Sequence, residues 1–174
     1  MILKAVFRAV GVAIVLTLIG CQTLPRAPVV PMPELVTGRL SVSGITVNPS
    51  FQFKQLAGGG QQLSLSGAFG IGRFTMFFSD DGTFFGEKDG VALDAGELQQ
   101  ALTELTGLQL PLSVLPYWLT ARPYHGAPFN ELADGFIQLG WRLQVIRPAI
   151  ETPPTSIVVT KDALTIVLGI RSWR

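Results

Sequence analysis

With 174 residues, 48% of them hydrophobic and only 14% charged, the chain can form one domain with a sizeable core. That composition excludes a disordered chain, and 13 Lys+Arg against 12 Asp+Glu excludes the basic excess of a nucleic-acid binder. A single Cys leaves no internal disulfide or multi-cysteine metal site, and a single His leaves little for histidine-based catalysis.

The first twenty residues read as an address. Lys4 and Arg8 precede an uncharged run from Ala9 to Gly20, which is shorter than the roughly 20 helical residues that cross a bilayer. A basic start and a short apolar stretch make a secretory signal. Its end, Leu18-Ile19-Gly20-Cys21, resembles the lipobox of bacterial lipoproteins, in which the Cys becomes the acylated first residue. The other reading of Cys21 is a buried or accidental thiol after an ordinary signal. Gln22 stands where Asp favours inner-membrane retention in enterobacterial-type sorting, so the resemblance implies the outer membrane. Residues 21–34 then carry Pro25, Pro28, Pro31 and Pro33, a density that forbids helix and favours an extended tether. The body, residues 35–174, follows.

Period two dominates its first half. Leu40 and Val42, Phe51 and Phe53, Leu63 and Leu65, and Phe74, Met76 and Phe78 alternate with polar residues, apart from Phe77. These read as half-buried antiparallel strands, punctuated by Gly58-Gly59-Gly60, Asp81-Gly82 and Asp89-Gly90. Asp94 with Glu97 then forms a capping box, Leu98, Ala101, Leu102 and Leu105 follow at helical spacing, and Gly107 supplies the stop. A second short helix is expected from Leu112 to Leu119, around Pro116. Strands return over Phe136–Ile146, Ser156–Thr160 and Ala163–Trp173. The class is α+β, with helices covering one face of an antiparallel sheet.

Catalytic patterns are missing from the sequence. Gly67, Gly70 and Gly72 match no phosphate-binding loop, because a strand follows them and not a helix. No Ser sits in a Gly-x-Ser-x-Gly elbow. Asp80 and Asp81 suit a turn, and His125 lies in a loop-like Arg-Pro-Tyr-His-Gly-Ala-Pro run. The chain is read as a non-enzyme with no cofactor and no metal. The feature that asks for explanation is apolar: Ala68, Phe69 and Gly70, at the turn between two strands. Phe69 either folds back onto the core or stands in water as a wedge for a membrane or an apolar ligand.

The body resembles the LolB family of outer-membrane lipoprotein receptors from about Val36 to Trp173. The match runs through Gly38-Arg39-Leu40-Ser41-Val42, Phe51-Gln52-Phe53, and Leu63-Ser64-Leu65 with Gly67-Ala68-Phe69-Gly70. It continues through Gly107-Leu108-Gln109-Leu110-Pro111-Leu112, Leu115, Trp118-Leu119 and Pro123. Gln138, Gly140, Trp141 and Leu143, then Pro154, Leu164-Thr165-Ile166, Ile170 and Trp173, complete it. Departures are Phe53 at a usual Trp, Ala68 and Phe69 for Pro and Leu, Ala121 for a Gly, and Arg147-Pro148 where aromatics are common.

The resemblance implies an incomplete, strongly curved antiparallel β-barrel, with helices as a lid over an apolar cavity that takes acyl chains. Candidates to line it are Leu40, Val42, Phe53, Leu65, Phe74, Met76, Leu102, Leu115, Trp118, Trp141 and Leu143, each also what a core residue looks like. The implied function is an anchored, monomeric receptor that accepts lipoproteins from a LolA-like periplasmic carrier and inserts them into outer-membrane lipid. A lipid-binding lipoprotein of the same fold without a transfer role is the alternative.

Overall fold

The computed structural model describes residues 31–174, apart from 45, 47, 68–71, 81 and 107–108 and the side chains of 105 and 106. Alternating side chains place β1 (Leu35–Val42), β2 (Ser50–Gln55), β3 (Gln61–Ser66) and β4 (Arg73–Phe78) as consecutive antiparallel strands. Val36, Leu40, Phe51, Phe53, Leu63, Leu65, Phe74 and Met76 are buried on one face, while Arg39, Ser41 and Gln52 are exposed. Phe77, the exception to the alternation, stacks instead on the exposed Phe85, with ring centroids 4.8 Å apart. β5 (Phe84–Lys88) and β6 (Val91–Leu93) are joined by Asp89-Gly90, whose φ values of 51° and 84° suit a two-residue hairpin turn.

The chain leaves the sheet at Asp94. There the Glu97 N–H donates to Asp94 Oδ1 and the Asp94 N–H donates to Glu97 Oε2, both at 2.9 Å, which is the expected capping box. Helix α1 (Ala95–Thr106) follows, and the stop expected at Gly107 lies outside the described residues. The second helix is a 3-10 turn, Leu112–Val114, running into α2 (Leu115–Leu119). Pro116 sits in its first turn, where a missing N–H costs nothing.

The second half forms β7 (Phe129–Leu132), β8 (Gly135–Gln138), β9 (Trp141–Ile146), β10 (Ser156–Lys161) and β11 (Leu164–Trp173). The single strand expected over Phe136–Ile146 is thus a hairpin, broken at Leu139-Gly140 with φ values of 53° and 77°. A Leu in the left-handed region is uncommon, so the turn announces itself in sequence only through Gly140. β7 has no counterpart among the sequence-derived strands.

The described strands form one open sheet in the order β6-β5-β4-β3-β2-β1-β11-β10-β9-β8-β7. All neighbours are consecutive in sequence except β1 and β11, which pair at the centre with a bulge between Thr37 and Gly38. Gly38 allows that close approach, because a Cβ there would stand 2.7 Å from the Phe51 ring and closer still to the Gly169 carbonyl oxygen. β6 and β7 lie at opposite edges, so the segment joining them must cross a face of the sheet. It crosses the apolar one, and Leu98, Leu102, Leu112, Leu115, Trp118 and Leu119 are buried in the same core as the strands. The antiparallel sheet with its two short helices agrees with the expected class, and its unjoined edges are those of an incomplete barrel.

Candidate functional site

Twelve side chains line a cavity of about 40 Å³ between the sheet and the crossing segment. Leu40, Phe51, Leu63 and Leu65 come from β1, β2 and β3, and Val159, Ile166 and Leu168 from β10 and β11. Leu102, Leu110, Leu115, Trp118 and Leu119 cover it from α1, α2 and the residues between them. Every one of these side chains is apolar. The space holds about one water-sized group, and with no polar partner on its walls it gives a water nothing to bond. Its chemistry therefore suits a hydrocarbon, and its present volume does not accommodate a long one.

One polar group organises the wall. Gln138 is only 1% exposed, and its amide has four hydrogen-bond partners. The Trp118 indole N–H donates to its Oε1 at 3.0 Å and the Tyr124 N–H to the same oxygen at 2.9 Å. Its Nε2 donates to the carbonyls of Tyr124 and Ala127, at 2.6 and 2.9 Å. A buried amide satisfied in this way fixes whatever it touches, because each lost bond leaves a desolvated group behind. Trp118 is therefore held at one indole orientation, tilted against Trp141 with centroids 6.0 Å apart. The exposed Lys161 places its Nζ 5.4 Å from the centroid of the Trp141 ring.

Of the residues singled out in sequence, Leu40, Leu65, Leu102, Leu115 and Trp118 stand around the cavity. Val42, Phe53, Phe74, Met76, Trp141 and Leu143 are buried in the surrounding core, and none of them lines it. Phe51, Leu63, Leu110, Leu119, Val159, Ile166 and Leu168 also line it, beyond the expected candidates. For the five in strands, period two gives the buried face and not the place along it, while Leu110 and Leu119 lie between the helices and in α2. Cys21, Ala68, Phe69 and Gly70 lie outside the described residues. Around the last three, β3 and β4 pair as a hairpin, and the Gly67 N–H donates to the Gly72 carbonyl across its base at 3.1 Å.

His125 and Asp80 flank a separate polar pocket of about 200 Å³ with Tyr117 and Tyr124. The His125 ring packs on both tyrosines at 5.2 Å, and burial, then Tyr124 and Asp80, pushes the Tyr117 phenol above its ordinary pKa. Asp80 accepts from the Gly60 N–H at 3.1 Å, so its carboxylate serves the β2–β3 turn twenty residues earlier in the chain.

A family model described as outer membrane lipoprotein LolB matches residues 35–173. The chain belongs to the LolB family. Its relatives include the outer-membrane lipoprotein LolB of Thiobacillus denitrificans, 28% identical over 171 residues that cover 89% of this chain and 90% of the relative. LolB of Chromobacterium violaceum is 29% identical over 89 residues, 49% of each chain. LolB of Neisseria meningitidis serogroup A is 34% identical over 62 residues, covering 35% of this chain and 32% of the relative.

Ala121 stands at a position where the LolB resemblance has Gly, and the structure gives that position a reason. The Ala121 N–H donates to the Trp118 carbonyl and the Arg122 N–H to the Tyr117 carbonyl, at 3.0 and 2.9 Å, so α2 ends in a Schellman motif. The motif needs a left-handed residue, and Ala121 supplies it at φ 58°.

Proposed function

We propose that this chain is an outer-membrane-anchored lipoprotein receptor. It accepts acylated proteins from a soluble LolA-like carrier in the periplasm and releases them into outer-membrane lipid. The observation that carries this reading is the all-apolar cavity between the sheet and the helices, which has nothing to offer but a place for hydrocarbon. An acyl chain leaving water gains about 0.8 kcal/mol for each buried CH₂, so a cavity that widens to take one binds it without polar contacts. Transfer then runs downhill between apolar sites with no bond made or broken. On this reading α1 and α2 act as the lid.

The remaining parts are assigned by their chemistry. Cys21 carries the acyl anchor, residues 21–34 are the tether, and Phe69 is the wedge that meets the bilayer when cargo is released. The receptor works as a monomer, since one copy holds the complete cavity.

Depletion in the organism that encodes it, followed by fractionation, tests the proposal. Unrelated lipoproteins should accumulate in the periplasm, bound to their carrier. Unchanged delivery to the outer membrane would leave a lipid-binding lipoprotein with no part in transfer.

A further inference from the structure

Resting on that acyl-binding reading, we infer that the cavity opens by movement of α1 while α2 stays in place, with Gln138 the positioning residue that holds α2. The two helices are attached to the sheet by different physics. α2 is tied by a directional bond from the Trp118 indole N–H to Gln138, and both backbone groups of Tyr124, in the loop that follows, bond to the same amide. Both lone pairs and both protons of the Gln138 amide are engaged, so that it pins α2 and the loop after it as one piece.

α1 is seated by apolar surface. Its side chains make hydrogen bonds along the helix and at its cap: Asp94 with Glu97, Gln100 to Glu104, and Thr103 to the Gln99 carbonyl. Leu98 rests directly over Gly86 of β5, where a Cβ would come within 2.7 Å of its methyl group. Such packing is non-directional and allows a helix to lift or slide as a unit. The seat also leaves one group unsatisfied, since Gln99 Nε2 is buried without a partner. Outward movement returns that donor to water, whereas movement of α2 breaks the Trp118 bond to Gln138 and pulls on the loop that makes the other three. Leu102 of α1 is itself part of the cavity wall, so its displacement enlarges the space that is now too small for an acyl chain.

Amide hydrogen exchange on the ligand-free, full-length Cys21→Ala chain tests the assignment of the two walls. Amides of α1 should exchange at least tenfold faster than that of Tyr124, and equal or slower exchange in α1 would overturn the inference. Gln99→Leu should slow α1 about threefold and leave 117–124 unchanged. Gln138→Leu should speed 117–124 with α1 unaffected. If Gln138→Leu fails to fold, the Gln99→Leu comparison still decides, because unchanged α1 exchange there counts against the inference. With myristate as the probe, spin labels at Gln100→Cys and Gln52→Cys should move apart by several ångströms, while a His125→Cys and Gln52→Cys pair should not. The reverse pattern refutes the inference. If myristate gives no saturable signal, the acyl-binding reading fails, and the ligand-free exchange still reports which wall is fixed.

Discussion

Ala121 ends α2 in a conformation that an L-residue with a Cβ adopts at a cost of roughly 1–2 kcal/mol, part of which glycine gives back in backbone entropy. Ala121→Gly should therefore stabilise the domain by about 1 kcal/mol, raising Tm by roughly 2–4 °C in thermal denaturation, with the fold unchanged. No change would mean that the Schellman geometry is not kept in solution. Phe69 poses the opposite question, whether a large apolar residue contributes to stability at all. Packed in the core, its replacement by Glu should cost more than the roughly 3–5 kcal/mol of a simple truncation, because a charge would be buried as well. As the proposed wedge at the β3–β4 turn, it should leave Tm nearly unchanged and let cargo be accepted. Release into liposomes should then fail, because Glu must be desolvated where Phe gains by leaving water. A mutant that melts normally and still delivers lipoproteins refutes the insertion role.

At the scale of elements, α1 offers a direct test of how it is seated. A side chain at Gly86 would meet the Leu98 methyl groups at 2.7 and 2.8 Å and the Thr75 carbonyl oxygen at 3.1 Å. Gly86→Val should push α1 from β5 and cost about 1–3 kcal/mol, the usual penalty of overpacking, read in urea denaturation. It should also let a fatty-acid probe enter faster, followed through the emission of Trp118, whose ring lines the cavity. Slower or unchanged entry would separate α1 from the route in. Much of this architecture was legible in the residues. Asp94 and Glu97 announced the start of α1, and alternation set the buried face of β1 to β3, because both signals are local and need no partner. The Leu139-Gly140 turn was hidden because Leu seldom takes a positive φ, and it sits between two stretches that each pattern as strand. The site was harder to read than the fold. A cavity wall and a packed core want the same side chains, so Val42 and Leu40 look alike in sequence, and only the crossing of α1 and α2 decides which of them meets a void. Gln138 did leave a signal, as a polar residue at an inward position after Phe136 in β8. Its four partners are scattered over 118–127, and no local pattern brings them together.

The whole molecule is set by where its ends lie relative to the β3–β4 turn. Leu35 pairs with Lys54, and Ser66, where the turn begins, pairs with Ser50, itself opposite Arg39. The proposed tether thus joins the body at one end of the sheet, and the turn begins toward the other, level with Arg39 and two strands away. Four residues of β1 at about 3.3 Å each, and two strand spacings sideways, separate Leu35 from the start of the turn by roughly 16 Å. Met32 packs on the core and Gln55 bonds to the Pro33 and Glu34 carbonyls, so the reach comes from residues 21–31. If Cys21 is held in the bilayer and Phe69 is to reach the same bilayer, these residues must run back along the body. Fully extended at about 3.1 Å per residue they span about 34 Å, enough to do so with slack. Deleting residues 24–31 leaves about 9 Å, less than the distance to be covered. That deletion should keep acylation, thermal stability and the binding of a fatty-acid probe, because the cavity owes nothing to the tether. Delivery of cargo from carrier to membrane should be lost, and a Gly/Ser segment of the deleted length should restore it, since reach and not sequence is what the segment supplies. Delivery that survives the deletion would place the membrane-facing side at the Leu35 end, and would remove the reason for a wedge at Phe69.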